Sequence, residues 1–179
     1  SAYRPYSPAY LPFKWRSYWD FGTGALGDMG CHIIETPFNA LDLDFPISVE
    51  SSNTGFWIDD FKRAENLITF PASSKVQMQF EIDDSVVNLN WYDGGILPNH
   101  PEGLDLNEKL GASGGGTIIY GEKGIIIADF YSRNPRLFLK NKKNGIPKLI
   151  KEKASKAIAS KSHALDFVES CIDGGSAKS

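Results

Sequence analysis

The sequence predicts an α+β fold, an open and mostly antiparallel β-sheet with helices packed on one face. Three observations carry this. Strand-like runs outnumber helical ones and do not alternate with them. Two of those runs, VQMQFEI and VNLNW, alternate apolar with polar residues, as a sheet with one wet face requires. The link between them is Asp83-Asp84-Ser85, short enough for a hairpin.

The elements follow in order. Prolines at 5, 8 and 12 forbid a regular helix at the start, so residues 1–20, dense in rings, read as an extended arm that packs by its aromatics. From Asp28 to about Leu43, Met29, Ile33, Ile34, Phe38 and Leu41 recur near helical spacing. Pro37 falls inside that pattern, which predicts either a kink or a fresh start with Thr36 as cap and Pro37 in the first turn. Strands are expected at Ile47 to Trp57, Glu65 to Phe70, Lys75 to Ile82 and Val86 to Trp91, each rich in β-branched or aromatic residues. Residues 93–115, crowded with Gly, Pro and Asp, form a long loop of the kind that is functional or disordered. Two more strands, Gly116 to Tyr120 and Ile125 to Phe130, flank the tight turn Gly-Glu-Lys-Gly, and another covers Arg136 to Lys140. A last helix, Lys161 to Ile172, gathers Ala164, Phe167, Val168 and Cys171 on one face.

A chain of 179 residues suffices for one domain with a sizeable core. It lacks an initiating Met and its end, CIDGGSAKS, stops just after a helix-terminating Gly-Gly, so both ends read as cut from something longer. The formal net charge of -3 gives no electrostatic reason to attract nucleic acid, and the lysines between 140 and 161 read as a solvated face. No apolar run approaches the roughly 20 residues that span a bilayer. Cys31 and Cys171 match no zinc or redox spacing and are expected to be buried thiols. Three histidines with no second ligand pair argue against a metal site.

The stretch FGTGALGDMGCHIIE, residues 21–35, concentrates the chemistry. Gly22, Gly24 and Gly27 match G-x-G-x-x-G literally, but a dinucleotide turn needs a buried strand before it and an acid about twenty residues on at the end of a second strand. Here an aromatic, Pro-broken arm precedes the glycines. A second glycine run, GASGGG at 111–116, lies between a loop and an antiparallel strand and is a decoy for the same reason. The acid and histidine are more informative. Four positions apart on a helix, Asp28 and His32 share a face and can project into one pocket. A carboxylate beside an imidazole fixes its tautomer and suits it to general acid-base work. On spacing alone a structural arrangement is favoured, with Asp28 capping the helix and His32 packed in the core. His163, at the start of the last helix, and His100, in the long loop, are weaker candidates. The run WYDGG at 91–95 offers an exposed acid and aromatic at a strand end, either a sugar-binding edge or simply a turn.

The stretch WRSYWDFGTGALGDMGCHIIETPFNAL, with WYDGG, GGGTIIYGEKGII and YSRNPRL, resembles the substrate domain of the glucose-fructose oxidoreductase, inositol dehydrogenase and rhizopine-catabolism family (Gfo/Idh/MocA), from about residue 13 to 175. The most specific element is the Gly-rich turn followed by Asp-x-x-x-His. The resemblance implies that His32 accepts the proton of a sugar hydroxyl during oxidation, with Asp28 orienting it, and that Trp15, Arg16, Trp19, Tyr92 and Asp93 are the pocket residues to inspect. It also implies that NAD or NADP is bound by an N-terminal Rossmann domain absent from this chain, so that residues 1–179 hold no cofactor site and are inactive alone. The expected partners are a carbohydrate or polyol substrate and further copies of the chain, joined through the sheet face. Two other functions share these residues: NAD-assisted glycoside hydrolysis, and a non-catalytic domain for carbohydrate binding or assembly. The family includes cytoplasmic and exported members, so two compartments stay open.

Overall fold

The computed structural model describes residues 4–64, 68–111, 115–140, 147–150 and 162–176. The chain divides into two compact units, Ser1–Leu149 and Ile150–Ser179. Among the described residues, no helix is long and apolar enough to cross a membrane.

The arm is not extended. It makes two 3-10 turns, Pro8–Tyr10 and Lys14–Ser17. Pro8 opens the first, where a missing backbone donor costs nothing, and Ser7 caps it by accepting from the Ala9 amide. The rings do pack as expected: Tyr10 meets Tyr18 edge-on at 4.8 Å and Phe21 at 5.2 Å. Residues 65–67 of the expected second strand lie outside the described residues. The remainder, 68–70, is not a strand but makes a short antiparallel contact with the arm, in which Phe70 N donates to Ser17 O and Trp19 N to Ile68 O.

The helical stretch is two helices, α1 (Gly24–Ile33) and α2 (Glu35–Ala40), so the pattern starts four residues earlier than its apolar residues indicate. A fresh start does occur near Pro37, but Ile34 rather than Thr36 holds the cap position, and Pro37 falls at the third residue of α2. There its lost donor is one that has no partner in a first turn anyway.

Strands β1 (Ser48–Asn53), β4 (Ser74–Ile82) and β5 (Ser85–Tyr92) form one antiparallel sheet in the order β1-β4-β5. Its register sets Val76 against Trp91, Met78 against Leu89 and Phe80 against Val87 on one face. Gln77 opposite Asn90 and Gln79 opposite Asn88 occupy the other, where Gln79 Nε2 donates to Asn88 Oδ1 at 3.0 Å. Asp83 takes φ 50° to close the hairpin, a conformation that Asp tolerates better than most residues. On the apolar face Phe38 of α2 packs edge-on against Phe80 at 6.2 Å. Ile34, Phe38, Phe45, Pro46, Met78 and Phe80 surround an apolar cavity of about 290 Å³ there.

The expected strand at 47–57 is shorter, and its end belongs to a separate two-stranded hairpin, β2 (Trp57–Asp59) with β3 (Lys62–Arg63). A third sheet, ordered β6-β7-β8-β9, comprises β6 (Gly116–Tyr120), β7 (Gly124–Asp129), β8 (Arg136–Lys140) and β9 (Pro147–Ile150). Its core is Ile125, Ile127 and Phe138. The long loop is largely a structural cover: Leu104 and Leu110 pack on that core with Ile118, and Arg136 fixes the loop by pairing with Glu108 and donating to Lys109 O at 2.6 Å. In the second unit, α3 (His163–Asp173) is capped by Ser162 and closed by Gly174 in the left-handed conformation.

Candidate functional site

The glycines of residues 22–30 are there for close approach. A Cβ on Gly22 would lie 2.2 Å from the Arg16 carbonyl oxygen, and one on Gly24 would lie 2.6 Å from the Phe70 ring. Gly24 also holds φ +68°, which glycine adopts without steric cost. The run therefore seats the start of α1 against the arm.

Seated there, α1 carries Asp28 and His32 one turn apart. Asp28 does not cap the helix, since it is the fifth residue of α1 and the cap position is Thr23. Arg16 Nε donates to Asp28 Oδ1 at 2.9 Å. The Arg16 guanidinium also lies over the Trp15 ring at 4.6 Å and the Phe13 ring at 5.0 Å. Trp15, Arg16 and Asp28 are thus one cluster. Trp19 stands beside it, stacked on Phe70 at 3.6 Å, with its indole N–H donating to Thr69 O and about half of its surface open.

His32 is exposed, not a core histidine. No hydrogen bond joins it to Asp28 among the described residues. Its ring neighbour is Tyr131, met edge-on at 5.0 Å and 61°. Tyr131 belongs to a 3-10 turn, Phe130–Ser132, that follows β7. The sheet that carries this turn is also tied to the helix: the Thr117 hydroxyl of β6 donates to Ile33 O at 3.4 Å. Sequence reasoning missed Tyr131, although it lies in the YSRNPRL stretch that carried part of the resemblance.

Tyr92 and Asp93 lie elsewhere in their contacts. Asp93 is not the exposed acid that WYDGG suggests. Its Oδ1 accepts from Ser74 N at 2.7 Å, and its Oδ2 accepts from Ser74 Oγ at 2.6 Å and Trp91 Nε1 at 2.7 Å. That carboxylate ties the end of β5 to β4, and Asp93 to Ile96 form a turn through Gly94 and Gly95, both at positive φ. Trp91 is buried. The Tyr92 ring receives the Lys75 ammonium at 5.7 Å. Tyr120 is close enough that burial first, and charge on Tyr92 second, hold its phenol above the usual tyrosine value.

Cys31 and Cys171 are free and exposed, not buried. His100 keeps Nδ1 within 3.3 Å of Pro101 O, while its Nε2 is buried without a partner among the described residues. The side chain of His163 lies outside the description. Among the described residues no cluster of three or more His, Cys, Asp or Glu could hold a metal ion.

Residues 1–77, which include the arm and the helix that presents Asp28 and His32, match the family described as oxidoreductase family, C-terminal alpha/beta domain. That family model is the Gfo/Idh/MocA C-terminal domain, to which this segment of the chain is similar. The match covers less than half of the 179 residues and ends inside β4, so it includes Trp15, Arg16, Trp19, Asp28 and His32 but neither Tyr92 nor Asp93. No curated protein matches the sequence.

Proposed function

We propose that this chain is the substrate-binding and oligomerisation domain of an NAD(P)-dependent oxidoreductase acting on a sugar, polyol or related hydroxy compound. The carrying observation is that α1, within the matched segment, holds His32 exposed one turn from an Asp28 already tied to Arg16. His32 takes the proton of the substrate hydroxyl as that carbon is oxidised to a carbonyl. Oxidation of the carbon also needs a hydride acceptor, which is NAD or NADP held by a nucleotide-binding domain outside this sequence. The glycines at 22 and 24 instead let α1 pack closely against Arg16 and Phe70. Arg16 keeps the Asp28 carboxylate fixed on the face that His32 shares, and the open faces of Trp15 and Trp19 offer stacking surfaces for the apolar face of a sugar ring.

Assembly is a second role of the same domain, supported by apolar residues left open on the hairpin: Phe56, Trp57, Ile58 and Phe61, the last 96% exposed.

The test is His32→Ala in the full-length protein, with glucose and myo-inositol as first probes and reduction of NAD and NADP as readout. Loss of turnover by about a hundredfold or more, with cofactor binding and folding intact, is the expected result. Unchanged turnover would sink the catalytic reading and leave a binding or assembly domain.

A further inference from the structure

The loop after β7 carries an unusual concentration of backbone strain next to His32. Tyr131, Ser132 and Asn134 take φ of 57°, 53° and 49°, a region that side-chain-bearing residues rarely adopt, and Tyr131 has no short polar side chain to favour it. The Ser132 hydroxyl is buried with no hydrogen-bond partner among the described residues. Such strain persists only where the surroundings enforce it, and it clusters at functional sites.

The surroundings here are identifiable. Phe130 packs edge-on against Tyr131 at 4.6 Å, and the Arg133 guanidinium lies 5.5 Å over the Tyr131 ring. Asn134 Nδ2 donates to Asp129 Oδ2 at 2.9 Å, and Asp129 N donates to Arg133 O at 2.8 Å, closing the loop on itself. The outcome of this arrangement is that the Tyr131 ring is held against the imidazole of His32.

We infer that Tyr131 is a positioning residue for His32: the strained loop fixes the tyrosine ring, and the ring fixes the imidazole orientation in which His32 accepts a proton. The inference rests on the catalytic reading of His32. It supplies what the Asp28 spacing alone does not, a contact on the imidazole itself. An exposed imidazole without such a wall samples several rotamers, and misplacement of a reacting group by about an ångström costs on the order of a hundredfold in rate.

The test uses the full-length protein with isotope-labelled histidine, the His32 ring resonance being assigned by its disappearance in His32→Ala. Tyr131→Ala removes the ring, Tyr131→Asn removes it while keeping a residue that tolerates the left-handed backbone, and Tyr131→Phe keeps it. The His32 resonance is expected to shift in the first two and to return in the third. Oxidation of glucose or myo-inositol should fall about tenfold in kcat in Tyr131→Asn, with KM changed less than about twofold, and recover in Tyr131→Phe. A His32 resonance unmoved in Tyr131→Asn, or a Tyr131→Phe variant as impaired as Tyr131→Asn, overturns the inference. If His32→Ala keeps full turnover, the catalytic reading fails and this one with it. If His32→Ala is dead while Tyr131→Asn is unaffected, only the positioning role fails.

Discussion

Asp93 looks from its neighbours in the sequence like a binding residue and behaves in the structure as a joint. Its carboxylate gathers a backbone N–H, a hydroxyl and an indole N–H, all from β4 and β5. Removing it strands those donors around the buried Trp91. Asp93→Ala should therefore cost about 2–3 kcal/mol in urea denaturation while leaving the chemistry proposed for α1 untouched. An unchanged midpoint would show that water replaces the carboxylate without loss. The same contrast marks what single residues disclose before folding. Asp28 and His32 announce themselves because helical period alone puts them on one face. The distant partner that holds Asp28, Arg16, could be suspected but not paired, since the contact depends on how the arm folds back over Gly22. Tyr131 was invisible, because nothing in a tyrosine codes for a left-handed backbone and its approach to His32 spans about a hundred residues of chain.

Among the elements, the β4-β5 hairpin was legible almost to the residue, for alternation fixes both the faces and the register. The strands β6, β7 and β8 were equally plain. The loop from 93 to 115 was not, since Leu104 and Leu110 belong to no period and only tertiary contact makes them core residues. Likewise the split of one expected strand into β1 and β2 has no marker beyond Gly55, whose Cβ would meet the Arg63 guanidinium at 2.1 Å. The clasp of Arg136 on Glu108 and Lys109 O makes a specific claim about that loop. In Arg136→Ala, the amides of Leu104 and Glu108, which donate to Pro101 O and Asp105 O, should exchange about tenfold faster in hydrogen-exchange measurements, a local loss of about 1.4 kcal/mol. Amides in β7 should stay protected. Equal acceleration in both would mean that Arg136 holds the sheet rather than the loop.

At the scale of the whole molecule, the distribution of apolar surface is the dominant fact. Around the β2-β3 hairpin, four large apolar side chains, Phe56, Trp57, Ile58 and Phe61, stand open to solvent. A solitary chain gains nothing from such a surface, whereas a partner surface of about 800 Å² on each side would make it a stable contact. Trp57→Glu in the full-length protein should lower the assembly mass measured by light scattering, with the fold retained by circular dichroism. An unchanged mass would move the contact away from the hairpin. The seating of α1 has a consequence for anyone wishing to alter what this domain accepts. Gly24 against Phe70 is a mechanical stop: a methyl group added there would lie 2.6 Å from the Phe70 ring, so either that ring or the start of the helix carrying Asp28 and His32 must move. Libraries aimed at new substrates should therefore vary the open indoles of Trp15 and Trp19 and leave the stop alone, so that the proposed recognition surface changes while the proposed reacting pair keeps its alignment.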